Sequence, residues 1–416
     1  MTEIQLLDDA IVNPRTYANP EAYHALFANL RETDPVHWTQ PSGYRPFWTV
    51  TKHADIREVE LAADKFLNDP RLLLLTESDE AMILAATGSQ HVTRSLVSMD
   101  NPDHHAFRIM TQSWFAPKNI RGLEDKIRKL ANEVLDRMVS KGGECDFVTD
   151  VAVWYPLRVI MEILGVPAED EPMMLALTQQ VFGPQDPDFV MDQAEAGAAL
   201  LGAVKIFDEY FHALTLARRE EPRDDVATLI ANAQINGEPI GRLEAMSYYV
   251  LIATAGHDTT STSAAEGLLA LIQNPAEFAK LRADPTLLPS AIDEFIRWST
   301  PVKHFFRTAT EDYELRGRKI RAGDGLIMCY PSANRDADVY EDPYDFRVDR
   351  GPAKHLAFGV GAHLCLGQHL AKLELRVLFE ELFKRLDSIE LAGEPRWVAS
   401  NFVSGLKHMP IRYSIA

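Results

Sequence analysis

Cysteine is scarce in this chain: Cys145, Cys329 and Cys365 are its three, in 416 residues. An odd count at such wide spacing suits neither a disulfide framework nor a CxxC zinc site, so a reducing compartment is expected. Long apolar runs are missing as well. The most apolar short stretch, Leu72 to Leu75, falls far below the roughly 20 residues of a membrane span. The first residues, Met1 to Asp9, are acidic and carry no apolar core, which reads as no secretory signal and predicts a cytoplasmic protein. Positive charge is in deficit, with 42 Lys and Arg against 61 Asp and Glu for a net charge of −19. That balance argues against coating nucleic acid or an anionic membrane, both of which need a basic face. No internal repeat and no low-complexity linker divides the chain, so residues 1–416 are expected to form a single domain.

What is present is ordinary globular composition, 46% hydrophobic and 25% charged, in a chain long enough to bury about three quarters of its unfolded surface. Apolar positions Ile127, Leu130, Val134, Leu135 and Met138 recur at helical spacing from about Asn119. Further helices are predicted over Tyr155 to Leu164, Leu200 to Arg218, Pro289 to Trp298 and Leu366 to Leu386, with a loop at Gly183 to Pro187. Phe47 to Val50 reads as a strand, and Val302 to Ile327 as short strands around Gly317 and Gly323. Helix outweighs strand, and the strand signals cluster near both ends. The expectation is a mainly helical α+β domain rather than alternating βα units.

The longest helical pattern, about Arg242 to Gln273, would extend roughly 48 Å. Inside it stands Ala255-Gly256-His257-Asp258-Thr259-Thr260, poor helix formers between apolar flanks. Gly256 costs about 1 kcal/mol relative to alanine there. Thr259 and Thr260 can bond back to preceding carbonyls and open the turn, which makes room for water or a small ligand.

The most informative segment runs from Phe358 to Gly367: Phe-Gly-Val-Gly-Ala-His-Leu-Cys-Leu-Gly. Glycines at 359 and 361 permit a tight turn with positive φ. Cys365 then meets the start of a helix, whose N–H donors and dipole favour a thiolate, and Gly367 leaves room for a flat object against the backbone. This setting suits an axial ligand to haem iron. Phe358, Gly359, Gly361, His363, Cys365 and Gly367 coincide by chance with probability below about 10⁻⁵.

The segment resembles the cysteine-ligand loop of the cytochrome P450 monooxygenases, F-G-x-G-x-H-x-C-x-G, and the resemblance extends over nearly the whole chain. It implies the family's triangular, mainly helical fold, with small β-sheets and a buried haem b. By the same match Cys365 is the iron ligand, Phe358 covers the sulfur side, and Gly367 lies against the ring. His363, His104 and Arg108 (an H-x-x-x-R pair) and Arg307 hold the haem carboxylates. Ala255 to Thr259 resembles the A-G-x-(D/E)-T motif. Thr259 would hydrogen-bond the reacting oxygen or a nearby water, and Asp258 would relay protons from solvent. His257 occupies the variable position and receives no role.

Glu294 and Arg297 resemble the buried, structural E-x-x-R pair. Many family members place an arginine before the phenylalanine at Phe346. Here that residue is Asp345, and Arg347 or Arg350 is left as the third member of the charge network. The pocket is expected from the loop after Arg71, the region Val181 to Val190, Leu251, Ala255, Val302, Phe305, Phe402 and Val403. These are overwhelmingly apolar, which favours a hydrophobic ligand oriented by shape. The stretches Thr300 to Arg307 and Ser400 to Pro410 resemble those of bacterial members acting on terpenoids, steroids and aromatic hydrocarbons.

The resemblance further implies O2 as co-substrate and electrons from an iron–sulfur ferredoxin with its NAD(P)H-dependent reductase. A basic run, Lys118, Arg121, Lys126, Arg128 and Lys129, would dock that acidic partner together with Arg108, Lys372 and Arg376. A solvated helix face is the competing reading of that run. A peroxide-driven peroxygenase of the same fold and a non-catalytic haem-binding protein are the alternatives, and both are disfavoured by the Asp258–Thr259 pair.

Overall fold

The computed structural model describes residues 2–182, 186, 193–352 and 354–415. The structure is 55% helical with small sheets, the mainly helical α+β class expected. Its principal helices are Asp103–Gln112, Glu124–Ser140, Trp154–Leu164, Gln193–Glu220, Arg242–Ala255, Asp258–Gln273, Leu288–Ser299 and Gln368–Arg385. Ile127, Val134, Leu135 and Met138 are all buried, as their spacing predicts, together with Leu268, Phe295 and Phe379. Each such side chain stabilises the fold by roughly 1.5–3 kcal/mol. No helix among the described residues is long and apolar enough to cross a membrane.

Three boundaries differ from expectation. The pattern from Asn119 divides into Pro117–Arg121 and Glu124–Ser140, because Gly122-Leu123 ends the first turn. The long helix is two helices, Arg242–Ala255 and Asp258–Gln273. The final helix starts at Gln368, so Cys365 precedes it in the loop. The loop expected at Gly183 to Pro187 lies, apart from Asp186, outside the described residues.

Five strands form the main sheet, in the order Val36–Thr39, Phe47–Val50, Gly325–Cys329, His304–Ala309, Phe66–Leu67. Phe47–Val50 and Gly325–Cys329 run parallel, with Leu326 opposite Trp48, and the other pairs are antiparallel. Side chains alternate faces along a strand. In His304–Ala309 this sends His304 and Phe306 one way and Phe305 and Arg307 the other, toward the cavity described below.

Glu294 and Arg297 share a face of Leu288–Ser299 and form a buried two-point pair, Arg297 Nε and Nη2 each donating to the carboxylate at 2.7 Å. The third member is Arg350, whose Nε stands 3.2 Å from Glu294 Oε2. Arg347 contributes only its backbone N–H, at 3.0 Å from Oε1. Asp345 enters through its carbonyl, which accepts from both Arg297 and Arg350.

Candidate active site

The cysteine loop folds by backbone geometry. Gly359 and Gly361 adopt φ of +66° and +78°. At Gly361 a Cβ would also come 2.9 Å from the Glu60 carbonyl oxygen, so no other residue fits without a shift. The Cys365 N–H closes the loop on the Phe358 carbonyl at 2.9 Å. The sulfur faces a cavity and meets the N–H groups of Gly367 and Gln368. Burial raises the Cys365 thiol, and those N–H groups together with the charge of Arg108 pull it back down. The helix-start effect anticipated from sequence is present, but burial outweighs it. Cys145 and Cys329 have no such donors among the described residues, and burial pushes Cys145 up to about 12.

The break between the two long helices lines the same cavity. At Gly256 a Cβ would come 2.4 Å from Ile160 Cδ1, so glycine there admits the helix Trp154–Leu164. Thr259 Oγ1 donates to the Ala255 carbonyl at 2.8 Å, taking the acceptor that a regular helix would give to a backbone N–H. Ala255, Gly256, Thr259 and Thr260 line the cavity. Asp258 stands outside that lining. Its Oδ1 is 3.3 Å from Nδ1 of the buried His257, its Oδ2 has no partner among the described residues, and burial raises its carboxyl. His257, given no role from sequence, is thus the immediate neighbour of Asp258.

A third wall carries cationic and imidazole groups. His104 and Arg108 sit one turn apart on Asp103–Gln112, and Arg108 Nη2 donates to the Leu364 carbonyl at 2.7 Å. The His104 and His363 rings meet at 4.0 Å between centroids, tilted by 38°. Burial lowers both, His104 to about 4 and His363 to about 2, so both rings are neutral near pH 7. His363 Nε2 is bonded to Asn68, whereas His104 Nε2 is buried with no partner among the described residues. Arg307 is 4% exposed and completes this wall.

Leu251, Ala255, Val302 and Phe305 line the cavity as expected, joined by Leu72, Leu96 and Val97. Phe402 and Val403 do not reach it. Val403 is bridged to Val302, and the Phe402 carbonyl accepts the Lys303 N–H at 2.7 Å, so both stand one layer back. The expected segment Val181 to Val190 falls, apart from Asp186, on residues whose side chains are not described. Sequence reasoning missed Glu60, Asn68, Tyr330 and Glu374, which also line the cavity. Glu374 is fully buried, has no partner for either oxygen among the described residues, and is held well above the usual carboxylate range by burial.

The basic run is largely neutralised. Arg128 pairs with Glu124, Glu380 and Glu381 at 2.6–2.7 Å, and Arg376 with Glu124 and Glu380. Lys126 meets Glu162 and Lys372 meets Asp293. Lys129 stands 3.9 Å from Glu133 and is 79% exposed, and Lys118 and Arg121 are exposed as well.

The cavity encloses about 1500 Å³ of space when its open mouth is counted. It joins a sulfur, an unpartnered imidazole nitrogen, two arginines and a broad apolar surface, with open space above Gly367. That donor set fits a flat, apolar dicarboxylate carrying a metal that accepts sulfur. Comparison with known proteins agrees. The Cytochrome P450 family model matches residues 20–397. Cytochrome P450-terp of a Pseudomonas species is 44% identical over 98% of this chain and 97% of its own length. Linalool 8-monooxygenase of Pseudomonas putida is 33% identical, covering 94% of this chain and 97% of its own. The crystal structure of CYP108D1 from Novosphingobium aromaticivorans superposes with a TM-score of 0.93 at 45% identity, over 99% of both chains. The chain belongs to the cytochrome P450 family: it is a monooxygenase whose cofactor is haem.

Proposed function

We propose that residues 1–416 form one catalytic unit that hydroxylates a small-to-medium hydrophobic substrate of the terpenoid, steroid or aromatic-hydrocarbon class. O2 is the co-substrate, and two electrons come from a separate ferredoxin with its NAD(P)H-dependent reductase. The observation that carries this reading is that Cys365 and Thr259 line one and the same largely apolar cavity. Haem, when bound, supplies the oxygen chemistry, which a thiolate ligand favours.

The chain's own residues do the rest. Cys365 offers the sulfur from a loop fixed by the Phe358 carbonyl, and Phe358 shields it. His104, Arg108, Arg307 and His363 take the cofactor's carboxylates. The Thr259 hydroxyl, now resting on the Ala255 carbonyl, turns to hold oxygen or water in the cavity. Asp258, outside the lining and raised by burial, passes protons inward. Leu251, Val302 and Phe305, with few polar groups near them, orient an apolar substrate by shape. The linalool 8-monooxygenase relative supports the terpenoid class. Lys118, Arg121 and Lys129 are the exposed remainder of the docking run for the ferredoxin.

The test is turnover of a terpenoid panel with ferredoxin, reductase and NAD(P)H, set against turnover with peroxide alone. Thr259→Ala is expected to keep oxidising NAD(P)H while product falls about a hundredfold or more, the range of a lost general acid–base contact. Equal product from peroxide alone would establish the peroxygenase instead, and no terpenoid product from either system would remove the terpenoid class.

A further inference from the structure

The wall that carries Arg307 also holds a carboxylate with no part in the chemistry above. Glu60 lies near the end of the helix His53–Leu61 and is 4% exposed. Its Oε1 accepts from the Tyr330 hydroxyl at 2.5 Å and stands 3.4 Å from Arg307 Nη2. Its Oε2 accepts the Val360 N–H at 2.9 Å. Three donors on two oxygens are the environment of an ionised carboxylate.

The groups around Glu60 are few. The strand His304–Ala309 contributes Arg307, the short helix Tyr330–Ala333 contributes Tyr330, and the cysteine loop contributes only backbone N–H. His363 of the same loop is engaged with Asn68. Burial raises the Glu60 carboxyl, and Arg307, Tyr330 and the Val360 N–H oppose the rise. With no second cation on Glu60 among the described residues, the pair with Arg307 is balanced only while the cavity holds no other anion.

Haem brings carboxylates to this same wall. Two carboxylates on one buried guanidinium cannot both stay ionised at ordinary cost, since like charges at close range raise the proton affinity of one of them. We propose that Glu60 couples haem binding to protonation: when a haem carboxylate reaches Arg307, Glu60 and that carboxylate together take up one proton from solvent and share it across the guanidinium. This rests on the role proposed above for Arg307 as a carboxylate clamp. Haem is then held more tightly at low pH than at high pH, through a residue that touches neither iron nor substrate.

The experiment is transfer of haem from the ferric holoprotein to excess apomyoglobin across the neutral pH range. It is paired with indicator measurement of protons taken up when haem joins the cofactor-free chain. The native chain should lose haem faster as pH rises, by up to about tenfold per pH unit, the limit for one linked proton. Glu60→Gln removes the competing charge, so it should lose haem more slowly than the native chain at high pH, with a flat profile and less proton uptake. Tyr330→Phe removes a donor to the carboxylate and should move the same profile to higher pH with its slope intact. Faster loss from Glu60→Gln at every pH with an unchanged slope would make Glu60 a mere prop and overturn the proposal, as would an unmoved profile in Tyr330→Phe. Arg307→Lys separates the two layers: unaltered haem loss in that variant would remove the clamp itself, whatever Glu60 does.

Discussion

Arg297 and Arg307 are both buried arginines paired with a buried glutamate, yet their donor sets differ. Arg297 gives Nε and Nη2 to Glu294 at 2.7 Å, and Nη1 to the Asn334 and Pro343 carbonyls at 2.8 and 3.0 Å. Nη2 also reaches the Asp345 carbonyl at 3.4 Å. All five of its N–H bonds have acceptors. Arg307 reaches the Phe306 carbonyl at 2.8 Å, Glu60 at 3.4 Å and the Tyr330 oxygen, and turns the rest of its guanidinium to the cavity. Burial and charge are alike at the two sites. What separates them is closure: a satisfied donor set holds the fold, and an open one waits for an anion.

The sharpest way to break this contrast is to remove one partner of the closed pair. Glu294→Gln leaves Arg297 charged and buried without its counter-ion, which costs about 3–5 kcal/mol. That is a large part of the roughly 5–15 kcal/mol that keeps a domain folded. Urea unfolding of the cofactor-free variant should show a greatly lowered midpoint or no cooperative transition. A midpoint near that of the native chain would mean the network is not structural.

At the open site the effect should move from folding to the cofactor. In Arg307→Gln the orphaned Glu60, already raised by burial, can take a proton, so unfolding of the cofactor-free chain should change less than in Glu294→Gln. Haem retention should suffer more. A hydrogen bond to a charged group contributes about 1.5–3 kcal/mol, so haem transfer to apomyoglobin should run about ten to a hundred times faster. The reverse pattern, a lost fold with haem retention unaltered in the survivors, would erase the distinction.

The same contrast explains what could be read from the sequence. The cysteine loop was legible because its geometry and ligand chemistry sit in one contiguous stretch, and Gly359 and Gly361 there serve a local positive φ. The helix break was legible through Thr259, whose hydroxyl bonds four residues back to Ala255, whereas Gly256 answers to Ile160 on another helix. Glu60 was not. In Arg-Glu-Val-Glu it reads as one more charge on a solvated turn, and its burial comes from Tyr330, 270 residues on, and Val360, 300 residues on. Glu374 did leave a trace, standing four residues from both Leu370 and Leu378 in the buried row of its helix. The pocket residues divided for want of any such trace. Val302 and Phe305 face the cavity while Phe402 and Val403 back them, a difference of one packing layer that apolar composition does not record.

The smallest expected effect concerns the closed network's third member, where the family's usual arginine position holds Asp345. Two arginines follow it, and the structure separates them by which atoms they use. Arg350 brings its side chain to Glu294, Nε at 3.2 Å from Oε2, and is 12% exposed. Its other nitrogens reach the carbonyls of Glu341 and Asp342 at 2.6 and 3.1 Å. Arg347 brings only its backbone N–H, and its guanidinium, 40% exposed, stands 3.6 Å from Asp349 and 4.0 Å from Glu341. A backbone N–H survives truncation of the side chain. Arg347→Ala should therefore change stability by no more than about 0.5 kcal/mol, as surface substitutions do. Arg350→Ala removes a charge-assisted contact to a buried carboxylate and should cost about 1.5–3 kcal/mol, still less than Glu294→Gln because Arg297 keeps its two bonds to Glu294. Equal urea midpoints for the two alanine variants would show that Glu294 is satisfied by Arg297 and the backbone alone, and that the network closes without a third side chain.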